Sequence, residues 1–144
     1  MGTALSKTRS RVYDEVNALF GRTPQWLKLQ PDGAIEGFWL QMRDFYLAPT
    51  AVPNKYKDLI GLAVAGATRC HYCTLFHTEI ARLNGATDEE IAEASAVGAL
   101  TMQGSTFINS MQVGYDEFRR ETLDIVKYVK QQKGKPATGV PAHV

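Results

Sequence analysis

The chain has 144 residues, 44% of them apolar, with 16 Lys and Arg against 15 Asp and Glu. That length suits one domain with a real hydrophobic core. The near-balance of charge argues against nucleic acid or an anionic membrane surface as the main partner.

Residues 6–20 carry Val12, Val16, Leu19 and Phe20 at helical spacing, with charged residues opposite and Gly21 as a stop. Thr23-Pro24 starts a short helical turn through Trp26 and Leu27, and Pro31-Asp32-Gly33 is predicted as a turn. Residues 34–47 form the next helix, with Ile35, Phe38, Trp39, Met42, Phe45 and Tyr46 on one broad stripe. Trp39, Phe45 and Phe76 are expected in the core. Pro49 and Pro53 frame a loop.

Residues 54–67 hold the run Leu59-Ile60-Gly61-Leu62-Ala63-Val64-Ala65-Gly66. A strand here, followed by CxxC, would suggest a thioredoxin fold. The run is rich in Leu and Ala, poor in β-branched residues, and shows no alternation, so it is predicted helical. Its two glycines each cost roughly 1 kcal/mol against Ala and are expected to let helices pack closely. Thr68 is the expected N-cap of the next helix, with Cys70 in its first turn and Gly85 closing it. Thr87-Asp88-Glu89-Glu90 is a capping box that opens a helix through Leu100. Gly104 is expected to break or kink that helix before Phe107, Ile108 and Met111 continue it to about Val113. Residues 115–132 form the last helix, with Phe118, Leu123, Ile125, Val126 and Val129 inward. The predicted class is all-α, with six or seven helices in one domain over residues 1–133. Residues 134–144 are expected to be a loose tail.

No stretch has signal-peptide or membrane-span character, which makes a cytoplasmic location the default and gives no reason to expect a membrane partner. Both cysteines and two of the three histidines fall within Cys70-His71-Tyr72-Cys73-Thr74-Leu75-Phe76-His77. In a reducing compartment a close cysteine pair points to redox chemistry or metal binding. At 100° per residue Cys70, Cys73 and His77 lie at about 0°, 300° and 340° on a helix, so all three share a face. Cysteines three apart come within disulfide reach. The helix N-terminus favours a thiolate at Cys70, whereas His77, four residues on, can take the proton of Cys73. His71 points elsewhere and is expected at the surface or an interface.

Asp58 has two readings. It is a carboxylate favoured by the helix N-terminus, or a third member of the site. If the chain turns back near Thr68, Asp58 lies ten residues before the turn and His77 nine after it, and the two are level. On one straight rod Asp58 and Cys70 would be about 18 Å apart and the arrangement would fail.

Asp58, eleven residues, Cys70-x-x-Cys73-x-x-x-His77, and then Leu83-Asn84-Gly85-Ala86-Thr87-Asp88-Glu89-Glu90-Ile91 resemble the carboxymuconolactone decarboxylase superfamily, most closely its alkylhydroperoxidase D-like (AhpD-like) branch. The specific match covers about residues 54–98. The resemblance implies a helical bundle assembling into trimers or hexamers. It implies a thiol peroxidase or disulfide reductase in antioxidant defence, with no cofactor, metal or haem. Carried over, Cys73 attacks a hydroperoxide, Cys70 resolves the product to a disulfide, and His77 with Asp58 relays protons. A lipoyl or thioredoxin-like dithiol would reset the pair. Two positions depart from the branch: its relay glutamate is Asp58 here, one methylene shorter, and the residue before the second cysteine, often histidine there, is Tyr72. Two other classes of function fit the same residues. Cys70, Cys73, His77 and Asp58 are zinc-type ligands, but three on one helical arc wrap a metal poorly. A non-catalytic helical oligomer with a redox-switch cysteine pair is the other.

Overall fold

The computed structural model describes residues 6–132, all of whose regular elements are helical. The expected tail at 134–144 lies outside the described residues. Seven α-helices follow in order: α1 (Lys7–Phe20), α2 (Gln25–Lys28), α3 (Asp32–Gln41), α4 (Asn54–Ala67), α5 (His71–Leu83), α6 (Asp88–Ser110) and α7 (Tyr115–Gln132). A π-helical turn, Met42–Leu47, continues α3. The chain divides into two compact units, one ending at Ala99 and one beginning at Leu100.

The first unit begins with α1, capped by Ser6 and closed by Gly21 in the left-handed region. Val12 and Val16 pack with Leu27, Ile35 and Trp39 into a buried cluster, flanked by Tyr13, Phe38 and Met42. Leu19 and Phe20, expected on the same buried face, remain largely exposed, although Phe20 meets Trp39 edge-on. The expected turn at Pro31-Asp32-Gly33 is instead the start of α3, with Pro31 at its N-cap. Pro fits a helix start because it has no N–H to leave unsatisfied there.

The stripe predicted as one α-helix over 34–47 changes hand-off at Met42. The wider π turn redirects the last side chains: Phe45 is exposed rather than core, and Tyr46 is half-buried. Lys57 on α4 holds this turn. Its buried ammonium donates to the carbonyls of Phe45 (2.7 Å), Tyr46 (3.2 Å) and Ala48 (2.8 Å), and to Asn54 Oδ1 (3.1 Å). Those carbonyls, free at a helix end, need donors.

α4 is the predicted helix, and α4 and α5 form an αα-hairpin. The turn is a Schellman motif: Cys70 N–H bonds Ala65 O at 3.0 Å and Arg69 N–H bonds Gly66 O at 3.1 Å. Arg69 takes the left-handed conformation that glycine usually fills, with φ 57°. Thr68 is not the N-cap of α5. Its hydroxyl donates back to Val64 O, and Cys70 takes the cap position two residues later. α5 ends on a second Schellman motif through Gly85, φ 83°. Next, the Thr87–Glu90 capping box forms with both reciprocal bonds, at 2.9 and 3.1 Å.

α6 runs unbroken through Gly104, against expectation; among the described residues nothing lies within 4 Å of where a Cβ would sit on that glycine. In the second unit α6 stops at Ser110, with Gln112 left-handed. Phe118, Leu123, Ile125 and Val126 of α7, expected inward, are exposed in the single chain, and no residue of α7 is buried.

Candidate functional site

The hairpin turn decides the site's geometry. Because α5 folds back on α4, Asp58 and His77 meet, with His77 Nδ1 3.5 Å from Asp58 Oδ1. The carboxylate is nearly sealed, its side chain 2% exposed against 19% for His77. A buried carboxylate needs donors. Asp58 has them: Tyr46 O–H donates to Oδ1, Asn84 Nδ2 donates to Oδ2 at 2.9 Å, and the His77 ring stands beside Oδ1.

Tyr46 and Asn84 were not singled out from the sequence. Tyr46 falls on the apolar stripe of an α-helix in the sequence pattern, and only the π turn swings its hydroxyl toward α4. The hydroxyl oxygen lies 3.0 Å from His77 Nδ1. Burial first, then the Asp58 carboxylate, push the phenol well above its ordinary pKa, so it stays protonated as a donor. Asn84 was legible as a helix end, but not as a donor to a residue 26 positions away.

Two further contacts fix the imidazole. Phe76 meets it edge-on at 5.3 Å, and Tyr46 does so at 5.9 Å. On the other side lies the backbone of Gly61, where an added Cβ would fall 2.4 Å from His77 Cε1. The close approach expected of the α4 glycines is thus realised at Gly61. Gly66 has open space around it.

Cys70 and Cys73 are joined as a disulfide, with Cα atoms 5.3 Å apart. Cys70 occupies the N-cap of α5, and its sulfur accepts from the Cys73 N–H at 3.3 Å. Cys73 lies in the first turn, one turn before His77. His77 Nε2 makes no hydrogen bond to Cys73 or to any other described residue; all ring bonding is through Nδ1. The structure therefore brings Asp58, His77 and Asn84, and Cys70 with Cys73, together on one hairpin, with Tyr46 reaching in from the π turn. His71 is exposed and stacks on Tyr72, with ring centroids 4.1 Å apart. Among the described residues no three His, Cys, Asp or Glu side chains are grouped to hold a metal ion, and no helix is long and apolar enough to cross a membrane.

A family model described as the carboxymuconolactone decarboxylase family matches residues 34–115. The crystal structure of an alkylhydroperoxidase AhpD core from Rhodospirillum rubrum superposes with a TM-score of 0.65 at 29% identity, covering 75% of this chain and 82% of that one. An uncharacterised protein of the cox locus of Paracoccus denitrificans is 34% identical over 77 residues, 54% of this chain and 69% of its own length. A protein of Mycobacterium tuberculosis named alkyl hydroperoxide reductase is 35% identical over 85 residues, 58% of this chain but only 24% of that longer protein.

Proposed function

This chain belongs to the carboxymuconolactone decarboxylase family, and from that premise we propose that it is a thiol-dependent hydroperoxide reductase of the AhpD-like kind, working through the Cys70–Cys73 dithiol. The observation that carries the reading is a cysteine pair at the N-terminus of α5 with an imidazole one turn further along the same helix, itself beside a buried carboxylate of α4.

In the reduced protein His77 Nε2 takes the proton of the Cys73 thiol. The thiolate attacks one oxygen of the hydroperoxide and the O–O bond breaks. Cys73 becomes a sulfenic acid, and the alkoxide leaves as an alcohol with the proton from His77. Cys70 then attacks the sulfenic sulfur, the disulfide forms and water leaves. The N-cap position suits Cys70 to this step, because the Cys73 N–H and the helix N-terminus favour negative charge on its sulfur. A dithiol donor of lipoyl or thioredoxin-like type reduces the disulfide by exchange and is itself oxidised to a disulfide. Asp58 supports the imidazolium formed at His77, much as a buried acid does in a hydrolytic triad. We assign the working protein to a homo-oligomer, a trimer or hexamer, in keeping with the exposed apolar faces of α6 and α7.

The test is hydroperoxide consumption with a dithiol reductant. Wild type is expected to turn over, Cys73→Ser to lose essentially all activity, and Cys70→Ser to stall after one equivalent with a sulfenic acid on Cys73. Cys73→Ser protein that consumes peroxide at the wild-type rate sinks the reading.

A further inference from the structure

The direct path between Asp58 and His77 is long. At 3.5 Å it lies beyond the usual 2.7–3.2 Å of an N–H···O bond. The Tyr46 oxygen is closer to the same nitrogen, 3.0 Å from Nδ1, and it bonds Asp58 Oδ1 as well. We propose that Tyr46 is a positioning residue that bridges Asp58 to His77 and holds the imidazole as its Nδ1–H tautomer, leaving Nε2 open as the base.

The assignment follows from counting protons. A phenol has one proton to donate and two lone pairs to accept with. A carboxylate has no proton to give, so the Tyr46 proton goes to Asp58 Oδ1. With its proton spent there, the phenol oxygen can only accept from its second partner. That partner is His77 Nδ1, which must then carry a hydrogen. A neutral imidazole has a single N–H, so Nε2 keeps its lone pair. Nε2 is also the ring nitrogen with no hydrogen bond among the described residues. The phenol remains protonated because burial and the neighbouring carboxylate both oppose its ionisation.

The surroundings hold Tyr46 in this role. Its ring packs on Phe76 and on the His77 ring itself. Its carbonyl is bound by Lys57 Nζ, on the helix residue next to Asp58. The π turn that carries it is the kind of local irregularity found at functional sites. The arrangement also answers the short side chain at position 58. Aspartate reaches one methylene less far than glutamate, and the phenol oxygen spans the remainder.

The tautomer stands independently of catalysis; its use in deprotonating Cys73 rests on the proposed function. Two measurements separate them. In the first, nitrogen NMR of the oxidised full chain labelled at histidine reads the tautomer of His77. Wild type is expected to carry the proton on Nδ1, Tyr46→Phe to shift toward Nε2–H, and Tyr46→Phe with Asp58→Glu to return to Nδ1–H, the longer carboxylate replacing the phenol. In the second, peroxide consumption is expected to fall about tenfold or more in Tyr46→Phe and to recover in the double variant. A wild-type ring protonated on Nε2, or a Tyr46→Phe protein with an unchanged tautomer, overturns the assignment. Wild-type protein with the Nδ1–H tautomer but no peroxide consumption would sustain the assignment and overturn the proposed function instead.

Discussion

Gly61 shows how much the site depends on a single missing methyl. In an α-helix, alanine is favoured over glycine by roughly 1 kcal/mol, so Gly61→Ala should help α4 by that measure. The added Cβ would instead fall 2.4 Å from His77 Cε1 and 2.6 Å from both ring nitrogens. The ring must move, and moving it breaks the contacts to Tyr46 and Asp58. Overpacking typically costs about 1–3 kcal/mol, which the helix propensity partly offsets. Gly61→Ala is therefore expected to lose under about 2 kcal/mol in urea denaturation, while peroxide consumption falls about a hundredfold through misplacement of the base. A variant with full activity would show that the ring position is not critical. The positive φ of Arg69 is another single-residue feature with consequences. It lets the Schellman motif end α4 and start α5 within three residues, which brings Asp58 and His77 level.

Among the elements, α1 and α3 are tied by more than their apolar seam. Glu15 on α1 accepts from Trp39 Nε1 at 2.7 Å and from Arg43 at 2.6 Å. These bonds, Trp39 first, hold the Glu15 carboxyl below its ordinary 4.5. A carboxyl lowered on folding contributes stability that is fully present above its unfolded value and is lost as pH falls through the folded one. Wild-type stability in urea is thus expected to drop from about pH 4.5 downward more steeply than that of Glu15→Gln. Parallel pH profiles for the two proteins would remove Glu15 from the account. The hairpin α4–α5 relies on comparable logic at the site: Lys57, Asp58 and Asn84 serve polar groups that burial would otherwise leave unpaired. The π turn differs from the α-helix that the sequence pattern predicts, for a clear reason. Apolar residues at 38, 39, 42, 45 and 46 fit α-helical spacing, and nothing local signals that Met42–Leu47 widens into a π turn. The partner of that turn lies on another helix, where Lys57 binds carbonyls at its end.

For the whole molecule, the single chain leaves its later helices poorly covered. Val97, Leu100 and Phe107 on α6, Met111 just beyond it, and Leu123, Ile125, Val126 and Tyr128 on α7 are all exposed. Faces of this size are ordinarily covered by a partner. The expectation that Phe118, Leu123, Ile125 and Val126 point inward fails for the isolated chain, and the self-association proposed above would cover them. Sedimentation of the wild-type protein is expected to give three or six times the chain mass. Paired Leu123→Glu and Val126→Glu substitutions are expected to shift it toward monomer. A monomer at all concentrations in the wild-type protein would contradict the assembly.

Periodicity and caps along the sequence determined the all-α class, the helical reading of residues 54–67, the Gly21 and Gly85 stops and the Thr87–Glu90 capping box, because each depends on neighbours within a turn or two. Cysteine spacing placed Cys70 and Cys73 within bonding reach for the same local reason. Levelling Asp58 with His77 was a conditional inference, true only if the chain reversed near Thr68. The tertiary structure decided that reversal. It also decided what the sequence could not express: that Tyr46, Gly61 and Asn84 converge on His77 and Asp58 from segments up to 38 positions apart. A hydrogen bond from a phenol to a carboxylate is set by where two helices meet and how one of them is wound, and neither is written in the spacing of residues along a single helix.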